Sequence, residues 1–229
     1  MGGWGHYTFP VPPGFSARRS CPAGIPPGAG PGRRISRGPG VPPAPPLIYQ
    51  KEAHSVIAWD LMKNIVLTGM PGAGKSMVGV LLAKSLKKKF VDTDLVIQEE
   101  TGRHLQEIID TDGVDAFMKI EEETVLRHTF KNAVVATGGS VVYSRNAMAH
   151  LKDGGTIVYL AVTYREMMKR LKNITTRGIV VHPGQTLRDL YDERVPLYVQ
   201  YADITIECSG EHFEEIVGRI IEARKRLPG

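Results

Sequence analysis

Residues from about 62 to the end of the chain predict a three-layer α/β domain built on a parallel sheet, and three observations carry that reading. Short apolar runs of strand length recur along the segment. Stretches with helical spacing alternate with them. The first run, Asn64 to Thr68, leads straight through a glycine-rich turn into one of those stretches. Strands that are apolar along their whole length, rather than at every second position, belong to a sheet covered on both faces, and that is the signature of parallel α/β architecture.

Taken in order, Asn64 to Thr68 predicts the first strand and Lys75 to Lys87 the first helix. Phe90 to Asp92, Ala133 to Thr137, Thr156 to Ala161 and Ile204 to Ile206 predict the remaining strands. Val114 to Phe130 predicts a long helix with Phe117, Ile120, Thr124 and Val125 facing inward. Thr163 with Glu166 reads as a capping box opening a helix through Arg170. Ser209 reads as the cap of a last helix from Glu211 to about Arg226. Ligands of such sheets lie at the C-terminal ends of the strands, which is where the motifs below fall.

The first 61 residues differ in kind. Twelve of the 16 prolines and ten of the 25 glycines lie within the first fifty positions, together with five arginines and no acid. The chain has 29 basic and 24 acidic side chains, so taking out those five arginines leaves 24 against 24 in residues 51–229. The high isoelectric point therefore belongs to the tail and gives no reason to expect nucleic-acid or membrane binding by the folded part. Runs such as Pro42-Pro43-Ala44-Pro45-Pro46 cannot offset the entropy of ordering with buried surface, which predicts a disordered Pro/Gly/Arg-rich extension over 1–61. Three origins fit it: a translated upstream region, given that Met62 directly precedes the first strand; a natural disordered extension; or a targeting segment, against which the prolines and glycines argue. Removing it is expected to leave folding and activity of the remaining chain intact, and loss of either in a chain begun at Met62 would refute that. No run of eighteen apolar residues exists, and Cys21 and Cys208 suggest neither a metal site nor a disulfide framework, so a cytoplasmic protein is expected.

Gly69-Met70-Pro71-Gly72-Ala73-Gly74-Lys75-Ser76 fits G-x-x-x-x-G-K-[ST] between a strand and a helix. Glycines let successive N–H groups turn toward phosphate oxygens, and the helix N-terminus adds positive potential. Lys75 is placed to reach the β- and γ-phosphates of a nucleotide, and Ser76 to offer its hydroxyl to Mg²⁺. Gly69, Gly72, Ala73, Gly74, Lys75, Ser76 and Met77 are thus the expected ATP cradle. With only about 165 residues, the domain favours a small-molecule or nucleotide kinase over a motor or switch. Asp92-Thr93-Asp94 closes the second strand, where alternation would put both carboxylates on one face. One could hold Mg²⁺ and the other accept a hydroxyl proton, the two services phosphoryl transfer needs besides positioning. Thr137-Gly138-Gly139-Ser140 closes the third strand with glycines that let a ligand approach the backbone.

From about Lys63 to Arg226 the chain resembles the shikimate kinase family. The resemblance rests on ordered pieces: the glycine-rich loop, Asp92 to Asp94, Thr111 to Gly113, Phe117 to Glu122, the Gly138 loop, Thr176-Arg177 and Arg194 to Tyr198. It implies the P-loop kinase fold with a five-stranded sheet of order 2-3-1-4-5, a lid over about Leu171 to Leu187, continued by Thr186 to Asp192, and a substrate-binding region over about Leu95 to Val125. The implied reaction is ATP-dependent conversion of shikimate to shikimate 3-phosphate, on the way to chorismate and the aromatic amino acids, by a monomer. It implies Asp94 as the acceptor-binding base, Asp92 as the outer-sphere Mg²⁺ acid and Arg194 as the clamp on the acceptor carboxylate. It further implies Arg177 as the lid arginine on the phosphates, Arg170 as the arginine stacked on adenine, and Gly138 and Gly139 as acceptor-facing glycines. Catalysis is thereby assigned to Lys75, Asp94 and Arg177. Three positions depart from the family pattern: Met118 stands where an arginine is usual, Ser140 ends the glycine loop, and Gly178 follows Arg177 where proline is common. Glu121-Glu122-Glu123 reads mostly as a solvated helix face, with Glu121 orienting a substrate-side arginine as the family suggests. The alternatives are a kinase for a different small hydroxy compound and a nucleotide-binding module without transfer activity.

Overall fold

The computed structural model describes residues 63–171, 179–182, 184–210 and 212–227. The expected extension over 1–61 and the lid residue Arg177 lie outside them. Five strands form one parallel sheet: β1 (Asn64–Thr68), β2 (Lys89–Asp92), β3 (Ala133–Ala136), β4 (Gly155–Ala161) and β5 (Ile204–Glu207), in the order β2-β3-β1-β4-β5. Strand β1 is buried along its whole length because it has a partner on each side: Val66 lies beside Val135 of β3 and Ile157 of β4. Strand β5 is an edge. Only Ile204 and Ile206 are buried there, while Thr205 and Glu207 face solvent.

Among the described residues, eight α-helices cover the sheet and its C-terminal end: α1 (Lys75–Leu86), α2 (Thr93–Thr101), α3 (Leu105–Asp112), α4 (Val114–Arg127), α5 (Arg145–Gly154), α6 (Tyr164–Leu171), α7 (Leu187–Tyr201) and α8 (Phe213–Lys225). Helix α1 packs against α8, and α4 against α5. The main core runs through the strands, while a second cluster of Ile97, Leu105, Ile108, Phe117 and Val180 sits among α2, α3 and α4, with Met118 packed on it. The expected substrate-binding region is therefore a small helical unit with its own apolar centre.

Several local expectations need correction. Strand β2 stops at Asp92 and Thr93 already begins α2, so Asp92 and Asp94 do not share a strand face. Asp92 instead caps the helix by accepting from the Asp94 N–H at 3.1 Å. Glu166 donates its backbone N–H to Thr163 Oγ1, but its carboxylate turns to Arg170, leaving half a capping box. Ser209 accepts from Thr163 N rather than capping α8, whose N-cap is His212. The lid boundary is overdrawn at its far side. Thr186 and Asp189 form a full capping box, and the chain from Leu187 is α7. Helix α4 ends at Arg127, and Ile120 is only partly buried.

Candidate active site

The phosphate loop spans the turn from β1 into α1. Gly69, Gly72 and Gly74 hold φ of 144°, 79° and 97°, values that side chains resist, and a Cβ on Gly69 would lie 2.7 Å from Leu160 O. Lys75 is 8% exposed, not open to solvent, because Nζ folds back over the loop and donates to Gly69 O at 2.8 Å and Met70 O at 3.2 Å. Ala73 N closes the turn on Met70 O, and Met77 stands exposed in the first turn of α1. Ser76 Oγ donates to Asp92 Oδ2 at 2.6 Å. A hydroxyl and a carboxylate that already touch, beside a helix N-terminus, are hard oxygen donors of the kind Mg²⁺ takes, so these residues fit the ion.

The Arg170 guanidinium is held by hydrogen bonds along its edge. Its Nη1 donates to Gly72 O and Ala73 O, Nη2 to Cys208 O and Nε to Glu166. The guanidinium thus ties the phosphate loop to the segment after β5.

The acceptor side is a small pocket lined by Pro71, Asp94, Phe117, Glu121, Gly138, Gly139, Ser140, Val180 and Arg194. It brings together Asp94, the two glycines and Arg194, as expected. Arg194 is 1% exposed on α7. Its Nη2 donates to Val180 O at 2.8 Å, its Nε to Tyr143 OH at 3.2 Å, and its Cζ lies 5.1 Å from the centre of the Tyr143 ring. Nη1 lies toward Gly139, where a Cβ would be 3.1 Å away. One turn on, Tyr198 OH donates to Gly139 O at 2.6 Å, and Gly138 N donates to Thr93 Oγ1 at 3.1 Å. The glycine loop is thereby pinned from both sides.

Glu121 was legible only in part. It is not solvated but 1% exposed, its Oε2 accepting from Ser140 Oγ at 2.6 Å. Its Oε1 has no hydrogen-bond partner among the described residues. Burial pushes its carboxyl up to about 7, with Asp94 adding to the rise and Ser140, Arg194 and Lys75 opposing it. A folded-state value above the ordinary 4.5 means that the native state holds its proton longer than the unfolded chain. Stability of the free protein should therefore fall as pH rises from about 4.5 to about 7, by about 3 kcal/mol from this group. Glu121→Gln should lack that decline, and chemical unfolding at pH 5 and pH 8 reads it directly; equal slopes in the two proteins would contradict it. The signal available in the sequence was spacing: Phe117, Glu121, Thr124 and Val125 all lie on the buried face of α4.

A family model for shikimate kinase matches residues 71–225. The chain is 41% identical over 169 residues to the shikimate kinase of Thermodesulfovibrio yellowstonii, covering 72% of this chain and 97% of that one. It is 35% identical to that of Caldanaerobacter subterraneus over 171 residues, covering 73% and 99%. The chain belongs to the shikimate kinase family. Among solved structures, the shikimate kinase from Acinetobacter baumannii in complex with shikimate superposes with a TM-score of 0.68 at 30% identity, over 75% of this chain and 99% of that one. This member of the shikimate kinase family is accordingly a phosphotransferase with an alcohol acceptor. Its five parallel strands take the order expected for the family. Among the described residues, no helix is long and apolar enough to cross a membrane.

Proposed function

We propose that this kinase moves the γ-phosphate of ATP to a hydroxyl of shikimate, giving ADP and shikimate 3-phosphate, as a monomeric cytoplasmic enzyme whose catalytic domain begins near Met62. The observation that carries the reading is Arg194: a buried guanidinium with Nη1 directed at Gly139, in a pocket that also holds Asp94. A fixed cation opposite a carboxylate suits a small acid that also bears hydroxyls.

In this mechanism the loop from Gly69 to Met77 presents its N–H groups to the nucleotide phosphates, and Arg170 lies against the adenine. Lys75 would exchange its two carbonyl partners for β- and γ-phosphate oxygens. Ser76 would hold Mg²⁺ directly and Asp92 through water; the ion when bound supplies charge neutralisation between the phosphates. Asp94, in the first turn of α2, accepts the proton of the attacking hydroxyl and aims its oxygen. Gly138 and Gly139 let the ring approach the backbone. Arg194 holds the carboxylate, and Arg177 closes on the phosphoryl group.

Met118 favours a second reading within the same class, a different hydroxy acid as acceptor, because its side chain rests on the Phe117 cluster and offers no charge. ADP release measured with shikimate, with related hydroxy acids and with a neutral analogue lacking the carboxylate decides between them. Turnover on shikimate far above the others is expected. ATP binding without turnover on any acceptor would overturn the proposal.

A further inference from the structure

We propose that Glu121 is an acceptor-binding residue held by the Ser140 hydroxyl, and that it enters the complex with an anionic hydroxy acid as the neutral acid, donating from Oε1 to an oxygen of the acceptor. The inference rests on the acceptor being an acid, as proposed above.

The geometry comes first. Oε1 is buried and without a hydrogen-bond partner among the described residues, an arrangement that is costly unless a partner arrives. It faces the open side of Gly138: a Cβ built there would collide with Oε1 and would lie 2.8 Å from Asp94 Oδ1. Two carboxyl oxygens from different helices therefore border the same space in the acceptor pocket. Ser140 directs its hydrogen at Oε2. The carboxyl proton then belongs on Oε1, the oxygen that looks into the pocket, so Ser140 acts as a positioning residue that sets which oxygen can donate.

Charge comes second. Asp94 on α2, Arg194 and Tyr198 on α7 and Lys75 on α1 are the ionisable groups that act on Glu121. On α4 itself, Glu122 is turned to Asn146 and Glu123 to Lys119. No basic side chain among the described residues lies within ion-pair distance of Glu121. Among the described residues that line the pocket, Arg194 is a cation beside Asp94. An ionised Glu121 would add a second negative charge to a pocket that must admit a carboxylate, whereas the neutral acid removes that repulsion and adds a donor. Burial already raises Glu121 to about 7, so the neutral form is accessible near neutrality and an incoming anion favours it further.

The test measures KM for shikimate at saturating Mg·ATP between about pH 6 and about pH 9 in the wild type, Glu121→Gln and Ser140→Ala. Proton uptake on acceptor binding is read alongside by calorimetry in two buffers of different ionisation enthalpy. In the wild type KM should rise about tenfold per pH unit above the Glu121 midpoint, with uptake approaching one proton. Glu121→Gln, whose amide can still donate, should keep a low KM with no slope and no uptake. Ser140→Ala loses a bond that favours the ionised form, so its midpoint should move to higher pH; this arm carries the test if Glu121→Gln fails to fold. A wild-type slope in Glu121→Gln, an unmoved midpoint in Ser140→Ala, or no proton uptake by the wild type overturns the inference while the kinase reading stands. Absence of turnover on every acid overturns that reading and this inference with it.

Discussion

Lys75→Ala is expected to lower kcat by about 10²–10³-fold, the effect of removing one preorganised donor from a transition state that gains charge on its transferring group. The effect should fall on kcat more than on the KM for ATP, because the backbone N–H groups of the loop remain. The structure adds a second consequence. Lys75 Nζ holds Gly69 O and Met70 O in the free protein, so its removal takes that donor from Gly69 O and leaves Met70 O with Ala73 N. A stability loss of about 1–3 kcal/mol should accompany the kinetic one. Steady-state kinetics with thermal unfolding separates them. A kcat within tenfold of wild type would refute the assignment, whatever happens to Tm.

Arg194→Ala should reduce kcat/KM for shikimate by about 2–4 kcal/mol of transition-state binding, the range seen when one partner of a buried charged pair is lost. It should leave a neutral analogue much less affected. Met118→Arg is the complementary change. Position 118 lies three residues before Glu121 on α4, hence on the same helix face. An arginine there can engage Oε1 of Glu121 and the acceptor carboxylate together, and the KM for shikimate should fall, with some stability lost as the methionine leaves its apolar cluster. If the wild type ignores shikimate and Met118→Arg gains it, the natural acceptor is another hydroxy acid. If all three proteins treat the acid and the neutral analogue alike, the pocket does not read a carboxylate.

The strands were legible because each is a short apolar run bounded by turn residues, and strand β1 with its phosphate loop could be placed to the residue. Helices α2, α3, α5 and α7 were not read as such. Helix α2 begins inside the Asp92-Thr93-Asp94 motif, whose alternation suggests a strand. Helix α7 carries Pro196 and five charged residues in its first eight, which hide its apolar face. In the site, residues whose type announces chemistry can be singled out from the sequence: the glycines, Lys75, the aspartates, Arg170 and Arg194, with Arg177 outside the described residues. Those missed act through burial. Glu121 stands in a run of three acids, where only its spacing from Phe117 and the family resemblance set it apart, and its burial is a matter of packing. Tyr143 carries no motif signal, and Tyr198 closes the Arg194 to Tyr198 piece without announcing a role; what both do depends on where α7 crosses the glycine loop.

Strand β1 sits at the centre of the sheet, yet its partners come about 70 and about 90 residues later in the chain. Loop closure over such distances is entropically costly and must precede the contacts that reward it, so this strand order makes for slow folding. During synthesis, β1 and the glycine loop leave the ribosome long before β3 and β4 exist to flank them. The first part of the ATP site to be made is therefore among the last to gain its shape, and until then an apolar strand stands unpartnered on both edges, open to aggregation.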